Sequence, residues 1–208
     1  MISSAKVVIV DHGSGNILSV KRALDRFSAN AAVSSDRAEI INADKIILPG
    51  VGHFARAMAE LQRLGLREAL DEAVQVRKKP ILGICLGMEL MAKSSEEGEA
   101  EGLGWIDAQA VRFSFADRER YKSPHMGWNG ALVKKRSDLM RGVDEAAEFY
   151  FAHSYYLRVT ELSDTLCETE YESTFTSAIE RDSIFGVQFH PEKSHDAGRR
   201  VLQNFVEM

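Results

Sequence analysis

Four apolar residues in a row, Val7 to Val10, set the pattern for the first half of the chain. A run that is apolar on both faces reads as a strand buried on both sides, the signature of a parallel sheet covered by helices. A polar, glycine-rich turn follows at 11–16. Ile17, Val20, Leu24 and Phe27 then recur at helical spacing over 17–28. Ala31 to Val33 reads as a short strand. Lys45 to Leu48 is a clearer one and ends in Pro49-Gly50-Val51-Gly52. Helical patterns cover 54–62 and 66–77, and Pro80 opens the apolar run that leads to Cys85. This alternation predicts an open, mostly parallel α/β sheet with helices on its faces. In such sheets ligands bind at the C-terminal ends of the strands. The turn at 11–16, the turn at 49–52 and Cys85 all fall at such ends.

The second half has a shorter rhythm. Trp105–Phe113, Ala131–Val133, Glu148–Ala152, Tyr156–Thr160, Leu166–Tyr171 and Phe175–Ile179 are strand-like runs broken by turns. They predict an antiparallel or mixed section joined to the first sheet. Ile184–Phe189 reads as a further strand, delivering His190-Pro191-Glu192. A last helix from His195 to Phe205 turns Val201, Leu202 and Phe205 inward. With no linker or repeat between the halves, 1–208 reads as a single domain.

Composition narrows the function. Of 208 residues, 45% are hydrophobic and 27% charged, an ordinary globular mix, and the formal charge is −5. The basic stretches Lys134-Lys135-Arg136 and Arg199-Arg200 are too short for a nucleic-acid footprint. No apolar run has membrane-spanning length. The start, Met1-Ile2-Ser3-Ser4, leads into a strand without a signal-peptide pattern, so a cytoplasmic location is expected. The two cysteines, Cys85 and Cys167, have no metal-ligand spacing. Gly13-Ser14-Gly15-Asn16 lacks both the dinucleotide fingerprint and the Walker lysine, so neither NAD nor ATP is assigned, and no metal or other cofactor is expected.

The chemistry concentrates on Gly83-Ile84-Cys85-Leu86-Gly87. An apolar strand ends on a cysteine between two glycines, and Leu86, Leu90 and Met91 then recur at helical spacing. That is how a chain sets a nucleophile on a sharp strand-to-helix turn. A helix start there would favour a thiolate. A buried filler cysteine is the plain alternative. A cysteine nucleophile needs an imidazole and a group to orient it. His190 at a strand end and Glu192 two residues on meet that need if strand geometry continues through Pro191. An acyl intermediate also needs an oxyanion hole. Leu86 N–H is one candidate donor, and the Pro49–Gly52 turn, at Val51 or Gly52, is the other.

These residues carry a resemblance. Gly83–Gly87 with His190-Pro191-Glu192 resembles the triad-type class I glutamine amidotransferases. Further stretches narrow it to the glutaminase subunits of imidazole glycerol phosphate synthase: Gly15-Asn16 with Ser19-Val20, Leu48–Gly52, Pro124-His125-Met126-Gly127-Trp128-Asn129, Tyr150–Tyr155 and Gly186–Ser194. The match runs over essentially the whole chain. It implies a flavodoxin-like fold and hydrolysis of L-glutamine by Cys85, with His190 as base and acid and Glu192 orienting it. It implies Gly50, Gly87 and the residue at 89 in the glutamine pocket. It also implies a (β/α)8 cyclase partner in a heterodimer, with the ammonia route and interface near Asn16, Ser19 and Trp128. Ammonia would pass to a nucleotide-derived substrate of histidine biosynthesis.

Four positions depart from the family pattern. Glu89 stands where a glutamine is usual, His12-Gly13 where Tyr-Gly is usual, Glu172 follows Tyr171, and Ala152 replaces a common valine. Glutamate keeps acceptor oxygens but loses the amide donors and adds charge. These departures leave open a related glutaminase serving a different acceptor, such as a sugar. A cysteine peptidase and a non-catalytic interaction subunit are further readings of the same pattern.

Overall fold

The computed structural model of the chain describes residues 5–13, 15–27 and 29–208. Ser14 of the first turn, Ser28 at the end of the expected first helix and the opening four residues lie outside the described residues.

Strands β1 (Val7–Val10), β2 (Ala31–Ser34), β3 (Lys45–Gly50) and β4 (Ile81–Cys85) pair in parallel in the order β2-β1-β3-β4. Helices α1 (Ile17–Asp25), α2 (Arg37–Ile41), α3 (Phe54–Arg63) and α4 (Leu66–Asp71) connect them. Alternation along β1 explains why the strands are apolar throughout. Val8 and Val10 join the core under α3 and α4, with Phe54, Leu61 and Leu70. Val7 and Ile9 join the core under α1 and the C-terminal helix, with Val20, Leu24 and Phe205.

The second half continues the same sheet. Helix α5 (Leu86–Glu89) is followed by β5 (Ala92–Ser95), β6 (Ala100–Glu101), β7 (Ile106–Arg112), β8 (His125–Gly130) and β9 (Leu132–Val133). Then come β10 (Glu148–His153), β11 (Tyr155–Val159), β12 (Thr165–Tyr171), β13 (Ser173–Arg181), β14 (Ile184–Val187) and α6 (His195–Glu207). The chain's last strand, β14, pairs in parallel with β4, and β13 then extends the sheet antiparallel through β11 to β7. Strands β8 and β10 form a separate antiparallel ribbon. An open, mostly parallel sheet with an antiparallel extension is the architecture the pattern predicts, and it fits the flavodoxin-like fold that the resemblance implies.

Two local expectations are corrected. The helix after Cys85 runs only from Leu86 to Glu89. The backbone carbonyls of Leu90 and Met91 accept N–H groups from Leu103, Trp105 and Ile106, so the chain leaves the helix for the sheet. The 66–77 helix is α-helical only to Asp71 and continues as a π-helical turn, Glu72–Val76. Short α2, β5, β6 and β8 have no clear periodic signal. Asp36 nevertheless caps α2 by accepting Glu39 N–H at 2.9 Å.

Candidate active site

Cys85 ends β4 with φ 53° and ψ −111°, a left-handed conformation unusual for any residue with a side chain. Glycines make the bend possible by close approach. A Cβ on Gly87 would lie 1.7 Å from the Leu48 carbonyl oxygen, and one on Gly83 would lie 2.7 Å from the Gly87 backbone. Gly50, paired in register with Cys85, packs against Leu86 and Gly87. Gly50 and Gly87 thus hold the elbow from behind.

Register brings the other half of the site alongside. Val187 of β14 is opposite Ile84 of β4, so the chain beyond β14 runs beside the elbow. Gln188 Nε2 is 4.0 Å from Cys85 Sγ and donates to Glu89 Oε1 at 2.8 Å. His190 is held by its backbone N–H on Tyr150 O and by Ser194 Oγ–H on its own carbonyl. His190 and Glu192 do meet, but not along a strand. Pro191 presets the first turn of a 3-10 helix, Pro191–Lys193, and the chain curls so that His190 Nδ1 lies 2.9 Å from Glu192 Oε1. Both side chains are buried. With Nδ1–H donated to the carboxylate, Nε2 is the nitrogen left to take a proton.

Asn16, at φ 80°, donates Nδ2–H to the same Glu192 oxygen at 2.5 Å, so it supports the carboxylate directly. Ser19 lies in the first turn of α1, with its N–H on Asn16 O. Trp128 stands farther off, half-exposed and stacked on His195 at a centroid distance of 4.8 Å.

A cavity of about 180 Å³ lies over Cys85. Val51, Gly52, Leu86 and Glu89 line it, and so do Glu97, Pro124, His153 and Tyr155. Gly52 has φ 112° and open space at its Cβ position, so its peptide is sterically free to turn. Glu97 carried no signal in the sequence, since it stands outside every quoted motif; Pro124 and Tyr155 lay inside quoted motifs but had no assigned role. Gln188 lay inside a quoted motif but had no assigned role.

His153 is the second imidazole at the cavity. Its Nδ1–H donates to Tyr155 O at 2.6 Å, and its Nε2 accepts from His125 Nδ1 at 3.0 Å. Burial holds His153 down at about 3 and His125 at about 4. With both ring nitrogens occupied, His153 has no place left for a proton, whereas His190 has Nε2.

Burial raises the Cys85 thiol above its ordinary range, and the Glu89 charge raises it further; the Leu86 N–H opposes both. The expected helix-favoured thiolate is thus corrected: four helical residues offer little dipole against complete burial. A thiol held this high gives up its proton only to a base as it attacks.

Burial pushes Glu89 up to about 8, against the Gln188 amide, which lowers it, while nearby Glu97 raises it. A folded pKa above the unfolded value near 4.5 means the folded protein holds this proton while the unfolded chain releases it. Stability from this group is intact below about pH 4.5, falls as pH rises toward 8, and is lost above that. Glu89→Gln should therefore gain stability over the parent at pH 8–9 and little near pH 4.5, by up to a few kcal/mol on the order-of-magnitude scale. Denaturant midpoints at the two pH values check this. Equal differences at both would remove the charge from the explanation.

The sequence from residue 8 to 208 matches the family model for class-I glutamine amidotransferases. The chain is 45% identical to imidazole glycerol phosphate synthase subunit HisH 2 of Pseudomonas aeruginosa, over 97% of this chain and 99% of that one. It is 44% identical to the subunit HisH 2 of Methanococcus maripaludis, over 97% and 98%. A crystal structure of a glutamine amidotransferase superposes with TM-score 0.75 at 17% identity, covering 97% of this chain and 99% of the other, a likeness of fold. With the nucleophile elbow, the His-Glu turn and the full-length matches in agreement, the chain belongs to the class-I glutamine amidotransferases, within the family of imidazole glycerol phosphate synthase HisH subunits.

Proposed function

We propose that this chain is the glutaminase subunit of an imidazole glycerol phosphate synthase, releasing ammonia from L-glutamine through a thioester on Cys85. The observation that carries this is the Cys85 elbow paired, through β4 and β14, with the buried His190–Glu192 couple. Cys85 Sγ attacks the side-chain carboxamide carbon as its proton passes to His190 Nε2. The C–N bond then breaks, His190 returns the proton to the leaving nitrogen, and ammonia departs. Water, deprotonated by the same imidazole, attacks the thioester carbon and frees glutamate and the thiol. Leu86 N–H and a peptide N–H from Val51 or Gly52 receive the negative oxygen. The polar wall of the cavity, with the Glu89 oxygens on it, suits the ammonium of a free amino acid.

The ammonia goes to a (β/α)8 cyclase subunit held as a heterodimer. Leu18, Met126 and Trp128 are exposed at 66%, 63% and 43%, apolar side chains suited to a partner surface. Asn16, Ser19 and Trp128 are the residues assigned to that interface and to the ammonia route. The reading takes 1–208 as one amidotransferase domain working in the cytoplasm, where a reducing setting keeps Cys85 a thiol. Among the described residues no helix is long and apolar enough to cross a membrane.

Comparing L-glutamine with glutamine-containing peptides as substrates tests the chemistry. Glutamate should form from the free amino acid and not from peptide amides. Peptide cleavage without glutaminase activity would make the site a peptidase.

A further inference from the structure

The segment that would complete the oxyanion hole is held at both ends by side chains from elsewhere. Its first end is the ladder at Gly50, beside which buried His12 donates Nε2–H to the Pro49 carbonyl at 2.9 Å. Beyond Gly50, Val51, Gly52 and His53 are exposed and belong to no strand or helix. The second end is the start of α3. His53 occupies the N-cap position but makes no side-chain cap, so the first N–H groups of the helix need an acceptor from outside. Glu97 supplies it: Phe54 N–H donates to Glu97 Oε2 at 2.6 Å. The turn carrying Glu97 is itself built. Ser95 Oγ accepts Glu97 N–H at 3.0 Å. Gly98, at φ 86°, sits so close to α3 that a Cβ there would be 2.6 Å from Ala55 Cβ and 2.9 Å from His53 Cε1.

Glu97 also lines the cavity over Cys85. One carboxylate therefore touches the substrate space and the last fixed point of the oxyanion segment. A carboxylate has lone pairs enough for both. We propose that Glu97 is a positioning residue for the oxyanion hole: by capping α3 at Phe54 it fixes the far end of the three-residue span 51–53 and so the direction of the peptide N–H that receives the oxyanion. The proposal rests on the glutaminase reading. It assigns Glu97 an effect on turnover that is separate from any contact with substrate.

Two variants separate cap from charge. Glu97→Gln keeps an acceptor oxygen for Phe54 N–H and removes the negative charge. Glu97→Ala removes both. In glutamate release by the chain with its synthase partner, Glu97→Ala should lower kcat roughly tenfold, less than the ~10²–10³ lost when an oxyanion donor is removed outright. Glu97→Gln should hold kcat within about twofold because the acceptor survives, whatever happens to KM. Hydrogen exchange over residues 51–56 of the purified chain gives a readout independent of turnover. It should speed up in Glu97→Ala and stay at the parental rate in Glu97→Gln. Equal kcat losses in both variants, or a Glu97→Ala effect confined to KM, would overturn the proposal. So would unchanged exchange in Glu97→Ala. If the parent releases no glutamate while exchange follows the expected pattern, the cap stands and the glutaminase reading is what fails.

Discussion

Cys85→Ala should abolish glutamine-dependent turnover, with a loss of more than about 10³-fold in kcat. Alanine fits the site without steric cost, since the Cys85 side chain is already buried and its Cβ is retained. The folded structure should persist, and a thermal melt would show it. The loss would be chemical: no other side chain at the cavity can form the thioester. Cys167, the second cysteine, is buried in β12, and burial pushes its thiol up to about 12. His153 has both ring nitrogens bonded. Glu192→Ala should cost less than the loss of Cys85, because His190 would keep its backbone anchors on Tyr150 and Ser194 and lose only the partner that orients the ring. Glutamate release by Cys85→Ala at a rate near the parent would remove the nucleophile assignment. The order of the two losses distinguishes a nucleophile from its support.

Gly87→Ala should have the largest effect on stability. Its Cβ would be built 1.7 Å from the Leu48 carbonyl oxygen, and that oxygen belongs to the central strand β3. Neither neighbour is the flexible end of a side chain, so β3 and the elbow must separate. Separation disturbs the contacts of Gly83 and Gly50 as well, because both pack on the same backbone. The cost should exceed about 4 kcal/mol, at the exceptional end for a single substitution. In a domain of this size that lowers Tm by about 10 °C or more. A variant within about 1 kcal/mol of the parent in a denaturant titration would mean that the elbow can relax, and that the close approach is not what holds Cys85 in its left-handed conformation.

The parts of the molecule legible in the sequence are those where burial acts on every residue of a short run. β1, β3 and β4 lie between two helical layers, so their apolar runs have no polar interruptions to blur them. The elbow was legible because glycine spacing around a cysteine reflects backbone contact, which few residues permit. His190 and Glu192 were legible as a pair, yet the geometry joining them was not. Pro191 reads equally as strand stiffening or as the first residue of a turn, and the hydrogen bonds of Ser194 and Tyr150 decide for the turn. The helix expected after Cys85 failed for a non-local reason: carbonyls at 90 and 91 bond to residues 103–106. The thiolate expectation failed because local sequence shows a helix start and not the burial around it. Glu97 lay beyond reach altogether. It stands in a polar turn, and its importance comes from meeting α3, more than forty residues away in the chain. Asn16 was placed by resemblance at the ammonia route, while its amide is bonded to Glu192 in the His190–Glu192 pair itself.

The most direct test of the whole account is transfer of the glutamine amide nitrogen. The purified chain would be given amide-labelled L-glutamine, alone and with a cognate cyclase subunit and its nucleotide substrate, and both free glutamate and label in the cyclase product would be followed. The account predicts glutamate release in the presence of the partner and its substrate, with the label delivered to the product in equal amount. No glutamate and no label, from a partner that works on added ammonia, would contradict it.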